Sequence, residues 1–318
     1  MEYINNIDEL VGNTPILKVN RMGFPEKINV FAKLELMNPG GSAKDRIGFQ
    51  IIEDGEKEGL IDKDTVIIEP TAGNTGIGIA LAAQCKGYKA LLVVPEGYSL
   101  EKQIIMRAMG AEVVNTPKDK GMEGAIERAH QLVEELDNAY FANQYDNPSN
   151  PRAHYLTTGP EIYQQMDGEI DIFIAGAGTG GTFSGIVKYI KEHNPDMKAI
   201  LVDPYGSILG EDDSEKVHKV EGMGSSFIPK AMDMELIDDV IKVTEEESLE
   251  CARKIAQREG LTVGHSSGAV IAGIYKLVDK LKDTDETYNI VTIFADRSER
   301  YFSQNIYDDM HQFTKKNR

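Results

Sequence analysis

Short apolar runs alternate along the chain with longer stretches whose apolar positions recur every three or four residues. The short runs fall at residues 28–34, 65–69, 90–94, 112–115, 170–175, 199–202 and 290–294, and their length and composition predict strands. The longer stretches at 44–58, 75–86, 99–109, 122–136, 151–166, 182–192, 245–259 and 267–281 predict helices. The helix expected at 245 carries its own start signal. Thr244 and Glu247 are spaced as a capping box, in which each side chain serves the other residue's backbone N–H. Strand and helix in repeated alternation predict an α/β fold, with mostly parallel sheets covered by helices on both faces. The stretch Asp146-Asn147-Pro148-Ser149-Asn150-Pro151 interrupts the pattern and is the expected boundary between two α/β halves. The irregular region 206–230, with its acidic Glu211-Asp212-Asp213, is long enough to be a functional loop or lid.

A length of 318 residues accommodates two moderate domains that bury their cores without staples. The 52 acidic and 34 basic residues give a net charge of −18, which argues against nucleic acid or an anionic membrane as a partner. It leaves room for a small anionic ligand held by local donors. Cys85 and Cys251 lie far apart and form no metal or redox motif, so a reducing cytoplasm is expected. The opening residues have neither a basic start nor an apolar run, so no secretion signal is expected. No stretch approaches the roughly 18 apolar residues of a spanning helix.

Three segments carry candidate chemistry. Gly176-Ala177-Gly178-Thr179-Gly180-Gly181-Thr182 follows a strand and opens a helix, so its backbone N–H groups and the helix dipole suit a phosphate. The same glycines fit a dinucleotide fingerprint with Asp203 as ribose ligand, and they equally fit a turn needed for tight helix packing. In Asn38-Pro39-Gly40-Gly41-Ser42-Ala43-Lys44-Asp45-Arg46, turn residues lead to a lysine in the first turn of a helix. There the positive end of the helix dipole opposes the ammonium, which suits a Schiff-base lysine; the alternative is an exposed surface lysine. Glu69-Pro70-Thr71-Ala72-Gly73-Asn74-Thr75-Gly76 sets hydroxyls, an amide and backbone N–H groups at another helix start, an arrangement that suits a carboxylate or serves as a capped loop.

Taken together, these three segments resemble the cysteine synthase (O-acetylserine sulfhydrylase) and cystathionine β-synthase family, fold type II enzymes that use pyridoxal 5'-phosphate (PLP). The resemblance spans nearly the whole chain, from Val11-Gly12-Asn13-Thr14-Pro15 to Glu299-Arg300-Tyr301. It implies a two-domain, tryptophan synthase β-like architecture with PLP at the interface. One domain would comprise residues 1–12 and 36–148, the other 13–35 and 149–318. It further implies a homodimer and, as in some relatives, serine acetyltransferase as a partner. By the resemblance, Lys44 carries PLP and acts as the base, and Asn74 bonds the cofactor's 3'-hydroxyl. Gly178, Thr179, Gly180, Gly181 and Thr182 hold its phosphate. Thr71, Ala72, Gly73 and Thr75 receive the substrate carboxylate, Gln144 adds a contact, and Gly222 lies near the substrate amine. For the pyridine nitrogen, Asp296 and Ser298 are both available.

The implied reaction is β-replacement, with O-acetylserine as donor and sulfide or homocysteine as acceptor. Ala72, where many relatives have Ser, resembles the bacterial branch that forms cystathionine, as do Val94-Pro95-Glu96-Gly97 and Glu101-Lys102-Gln103. Two alternatives accompany it. One is the same chemistry on cysteine with release of hydrogen sulfide, and the other is a PLP-binding partner protein without turnover. No role follows for His265, and no metal is expected.

Overall fold

Parallel strands need crossovers, and here helices supply most of them. The structure, a computed structural model, describes residues 1, 3–71, 73–210, 220–282, 285–304, 306 and 307. Two short strands, β1 (Ile16–Lys18) and β2 (Ile28–Leu34), come first, and α1 (Lys44–Lys57) follows them. Next are β3 (Val66–Pro70), α2 (Asn74–Lys86), β4 (Lys89–Pro95), α3 (Leu100–Ala108), β5 (Glu112–Thr116), α4 (Gly121–Glu135) and β6 (Ala139–Phe141). The second half contributes α5 (Ser149–Ala153), α6 (Gly159–Gln165), β7 (Ile172–Gly176), α7 (Gly181–His193), β8 (Lys198–Pro204) and β9 (Asp239–Val243). It closes with α8 (Glu245–Glu259), α9 (His265–Leu281) and β10 (Tyr288–Phe294).

The strands form two sheets, ordered β5-β4-β3-β6 and β1-β2-β10-β7-β8-β9. All neighbours are parallel except β1 and β2. Thus β1 and β2 are laid against β10, and the chain leaves the larger sheet, builds the smaller one and returns. Alternate residues of one strand feed opposite cores. Ile172 and Ile174 of β7 pack with α8 and α9, whereas Phe173 and Ala175 pack with α7. In the smaller sheet, Leu92 and Val94 face α1 and α2, while Leu91 and Val93 face α4. Among the described residues no helix is long and apolar enough to cross a membrane.

Each strand expected from sequence forms within two residues of its predicted start, and β1, β6 and β9 are additional. The capping box at Thr244 and Glu247 is present, with reciprocal bonds of 3.2 and 2.8 Å. The single helix expected over 151–166 is instead broken by a π-helical turn, His154–Thr158. A backbone carbonyl of this segment passes so close to α7 that a Cβ on Gly185 would stand under 3.0 Å from Pro151. Such turns are frequent where a helix must re-aim a side chain.

A buried ionic network ties the larger sheet to α1 and α6. Arg46 grips Glu35 with two bonds, Nε to Oε2 at 2.7 Å and Nη2 to Oε1 at 2.8 Å. It reaches Glu161 at 2.6 Å, and Glu161 also meets the fully buried Lys33 at 2.7 Å. Burial pushes the Glu35 carboxyl up, but the Arg46 guanidinium and the Thr14 hydroxyl outweigh it and hold it at about 2. Because that lies below the ordinary carboxylate value, the stability it contributes is present above about pH 4.5 and is lost as pH falls toward 2. Glu35→Gln leaves two buried cations facing one carboxylate. We expect it to lower stability by about 3–5 kcal/mol in urea unfolding at pH 7. An unchanged midpoint would show that the network does not hold α1 in place.

Candidate active site

Ligands of parallel α/β sheets gather beyond the carboxyl ends of the strands. The segment after β2 ends at Lys44, the loop after β3 contains Thr71, and Gln144 follows β6. The glycine loop follows β7, and Ala295 follows β10. A cleft open to solvent is lined by Lys44, by the glycine loop and by Ala295.

The turn before Lys44 is fixed by hydrogen bonds. The Gly40 N–H donates to Asp45 Oδ2 at 2.5 Å, the Gly41 N–H to the Asn38 carbonyl at 2.8 Å, and Arg300 Nη2 to the Gly40 carbonyl at 2.8 Å. Lys44 is the first residue of α1 and lines the cleft, half-buried. Burial lowers the proton affinity of its amine, while the carboxylates of Asp296 and Glu35 oppose that effect. Burial therefore acts in the direction that sequence reasoning assigned to the helix dipole.

Gly178, Thr179, Gly180 and Thr182 line the opposite wall, with Gly181 opening α7 beside them. Gly180 has φ +83°, and a Cβ on Gly181 would stand under 3.0 Å from Asn150, so the loop leaves its N–H groups bare at a helix start. Two buried side chains brace this loop. Asn150 Nδ2 donates to Thr179 Oγ1 at 2.9 Å, and His154 Nε2 lies 3.0 Å from Thr182 Oγ1. The other nitrogen of His154 meets Thr158 Oγ1 at 2.8 Å, and burial pushes the imidazole down to about 3, so it stays neutral. A bare, neutral, N–H-rich cradle of this kind fits a phosphate.

The third segment opens α2, whose Asn74 reaches Asp296, next to the cleft-lining Ala295. The Gly73 N–H donates to Thr71 Oγ1 at 3.1 Å, and Thr75 Oγ1 donates to Gln144 Oε1 at 2.5 Å. These residues form a cup beside the cleft. Ala72 lies outside the described residues, as does the acidic stretch 211–215. Gly222 lines the cleft together with Met223. Lys102 of α3 bonds the neighbouring Glu221 and stands 4.2 Å above the Tyr301 ring, joining α3 to the Gly222 loop.

Asn74 opens α2, and both ends of its amide are engaged. Nδ2 donates to Asp296 Oδ2 at 2.6 Å, and Oδ1 accepts from Arg300 Nη1 at 2.6 Å. Asp296 also accepts the Tyr301 hydroxyl. Both Asp296 and Ser298 are buried and stand off the cleft lining, whereas Ser266, in the first turn of α9, is on it. Sequence reasoning did not single out Ser266; the available signal was a pair of hydroxyls, Ser266 and Ser267, in the first turn of a helix that follows Gly264. His265 turns away onto the Tyr301 ring, with centroids 5.3 Å apart. Asp203 accepts from Lys242 at 2.8 Å and from the Gly210 N–H at 2.9 Å and is fully buried. It is thus engaged inside the protein, not presented to a ribose.

The family description "Pyridoxal-phosphate dependent enzyme" matches residues 7–296. The chain is 46% identical over 308 residues to the O-acetylserine dependent cystathionine beta-synthase of Bacillus subtilis, covering 97% of this chain and 99% of that protein. The crystal structure of an O-acetylserine dependent cystathionine beta-synthase from Helicobacter pylori superposes with a TM-score of 0.91 at 42% identity, covering 96% of this chain and 100% of that one. A hydrogen sulfide-producing enzyme from Fusobacterium nucleatum superposes at 0.89 with 39% identity, covering 94% and 100%.

The charge of Asp296 is one of the two forces that keep a proton on Lys44 against burial. Asp296→Asn retains polar partners for Asn74 and Tyr301 but removes that charge. In the cofactor-free protein, the midpoint for trapping Lys44 with an aldehyde and borohydride should therefore move to lower pH. A midpoint that stays put or rises would show that Asp296 does not act on the amine.

Proposed function

The chain belongs to the family of pyridoxal-phosphate dependent enzymes, and we propose that it replaces the acetoxy group of O-acetylserine by a sulfur nucleophile, homocysteine or sulfide. The observation that carries this reading is that Lys44 and the Gly178–Thr182 cradle line one cleft, while Asn74, in the same segment as the Thr71–Thr75 cup, bonds Asp296 next to the cleft-lining Ala295. A basic amine, an anion cradle and a second anion cup are what an amino acid and a phosphorylated cofactor together require. When bound, pyridoxal phosphate supplies an electron sink for bond breaking at the substrate's α-carbon.

The chain's own residues do the rest. Lys44 would hold the cofactor and take the α-proton of the substrate; by lowering its proton affinity, burial favours the free amine that can accept that proton. Gly178, Thr179, Gly180, Gly181 and Thr182 take the phosphate, with Thr179 and Thr182 held in place by Asn150 and His154. Thr71, Ala72, Gly73, Thr75 and Gln144 take the substrate carboxylate, and Gly222 borders the substrate amine. Asn74 faces the cofactor's 3'-oxygen. We assign the pyridine nitrogen to Ser266, because neither Asp296 nor Ser298 reaches the cleft lining. A neutral hydroxyl there leaves the ring unprotonated and tempers it as an electron sink, which suits elimination of a good leaving group.

The same residues accommodate cysteine as donor with release of hydrogen sulfide, and the likeness to the Fusobacterium enzyme favours keeping that second reading. A cytoplasmic homodimer, docking to serine acetyltransferase, and α/β domains of residues 1–12 with 36–148 and 13–35 with 149–318 complete the proposal on the strength of the family resemblance.

Purified protein should show a near-visible cofactor absorption band that changes on adding O-acetylserine. A change with cysteine alone, accompanied by sulfide, selects the second reading. Lys44→Ala should lose that band's covalent component and at least about 10²–10⁴-fold in turnover. Ser266→Ala should move the band of the loaded protein, and Ser298→Ala should not; the reverse pattern would return the ring nitrogen to Ser298.

A further inference from the structure

Arg300 touches two segments of the site at once. It lies in the short 3₁₀ helix Ser298–Gln304 that follows β10, and it is 4% exposed. Its Nη2 donates to the Gly40 carbonyl at 2.8 Å, and its Nη1 donates to Asn74 Oδ1 at 2.6 Å. One planar guanidinium thus spans the turn before Lys44 and the start of α2, which a lysine, with a single ammonium, could not do. The approach is built into the turn. Gly41 has φ +82°, and a Cβ there would stand under 3.0 Å from Nη2, so a side chain at 41 would displace the guanidinium. The Arg300 carbonyl accepts the Ser99 hydroxyl at 3.0 Å, which holds the segment to the start of α3 as well.

Asn74 lies between two charges of opposite sign. Its Oδ1 receives the Arg300 N–H, and its Nδ2 donates at 2.6 Å to Asp296, a carboxylate 1% exposed that also accepts the Tyr301 hydroxyl. A side-chain amide has one acceptor end and one donor end. Turned over, this amide would set its oxygen against the carboxylate and its N–H groups against the guanidinium, losing two charge-assisted bonds. Both charges therefore select the orientation that is observed. Among the described residues, Asp296 is the partner of one Nδ2 hydrogen and the other has none. The Nδ2 end still has one N–H to give, with its direction fixed from both sides.

We propose that Arg300 is a positioning residue that works through Asn74: its fork fixes the amide so that the remaining Nδ2–H meets the cofactor's 3'-oxygen. The inference rests on the reading of Asn74 as that oxygen's partner. Asp296 secures the opposite end of the amide and so acts on the cofactor at one remove. A donor at the 3'-oxygen favours its anionic form, and the Arg300 charge strengthens that donor by polarising the amide between them.

The test uses the full chain, stripped of cofactor and reloaded in equilibrium dialysis with PLP or with 3-deoxypyridoxal 5'-phosphate. The second compound keeps the aldehyde and the phosphate but lacks the 3'-oxygen. The readout is the ratio of the two affinities in each protein, so effects on Lys44 or on the phosphate cradle cancel. Asn74→Ala, without the amide, supplies the reference ratio. Wild type should favour PLP over that reference by about tenfold, the equivalent of one hydrogen bond. Arg300→Met should return to within about twofold of the reference, because its amide is no longer held in one direction. A substitution that merely loosens the fold weakens both ligands alike and keeps the wild-type ratio; that result for Arg300→Met overturns the proposal. If wild type itself matches Asn74→Ala, the reading of Asn74 is wrong. If wild type exceeds the reference and Arg300→Met does too, Arg300 alone is misassigned. Should Arg300→Met fail to fold, Arg300→Lys keeps the charge but cannot serve Asn74 and the Gly40 carbonyl together. Its ratio should fall toward the reference, and a full wild-type ratio overturns the proposal.

Discussion

The contact on which this structure depends is one of backbone against backbone. Helices α1 and α2 cross where Gly48 meets the carbonyl of Gly78 and Gly78 meets the carbonyl of Lys44; a Cβ at either glycine would intrude under 3.0 Å. A glycine inside a helix costs about 1 kcal/mol relative to alanine, and here close packing of two buried helices offsets it. The crossing lies within one turn of both helix starts. It therefore brings Lys44, the first residue of α1, beside Asn74, the first residue of α2. No side chain could bring these two N-termini so near, because any side chain would hold them apart. The remaining walls are then set by the carboxyl ends of β7 and β10.

With the helices set, the molecule treats its buried charges in two different ways. Away from the cleft they are paired: Lys33, Glu35, Arg46 and Glu161 neutralise one another at distances of 2.6 to 2.8 Å. Around the cleft they are left with few partners. Asp45, Glu69 and His154 are buried, each pushed by burial toward its neutral form, to about 7, about 8 and about 3. Pairing makes the frame rigid, whereas neutrality keeps the binding walls free of fixed charge. Lys44 sits between these regimes: burial lowers its proton affinity, and the carboxylates of Asp296 and Glu35 oppose that.

Much of the frame is written in local sequence. Alternation at two periods marks the strands and helices, and glycine at helix starts marks the loops, because both signals depend on neighbours within a few residues. What escaped sequence reasoning depends on neighbours far along the chain. Strand β6 is three residues long and β9 mixes charged with apolar positions, so neither has a strong period; each is made by pairing with β3 or β8. The π-helical turn at His154 arises from packing against α7 and from the bond to Thr182, 28 residues away. Asp296 looked like a cofactor contact from its place near a recognisable motif. In three dimensions its carboxylate is taken by Asn74, 222 residues earlier, and by Tyr301, and a serine on α9 stands on the cleft wall.

A chain with a net charge of −18 that is to hold a phosphate and a carboxylate side by side, as proposed, faces an electrostatic problem. Surrounding both anions with arginine and lysine would answer the charge, yet among the described residues Lys44 is the only lysine or arginine on the cleft lining. Extra cations beside Lys44 would stabilise its unprotonated form further but would also compete for the phosphate and carboxylate as point charges with mobile stems. The solution visible here is to use partial charges fixed in the backbone: the starts of α2 and α7, with glycines that leave the N–H groups bare. Such donors are strong only where no nearby full negative charge cancels them. Burial, which pushes the carboxyls of Asp45 and Glu69 toward their neutral forms, acts in the same direction.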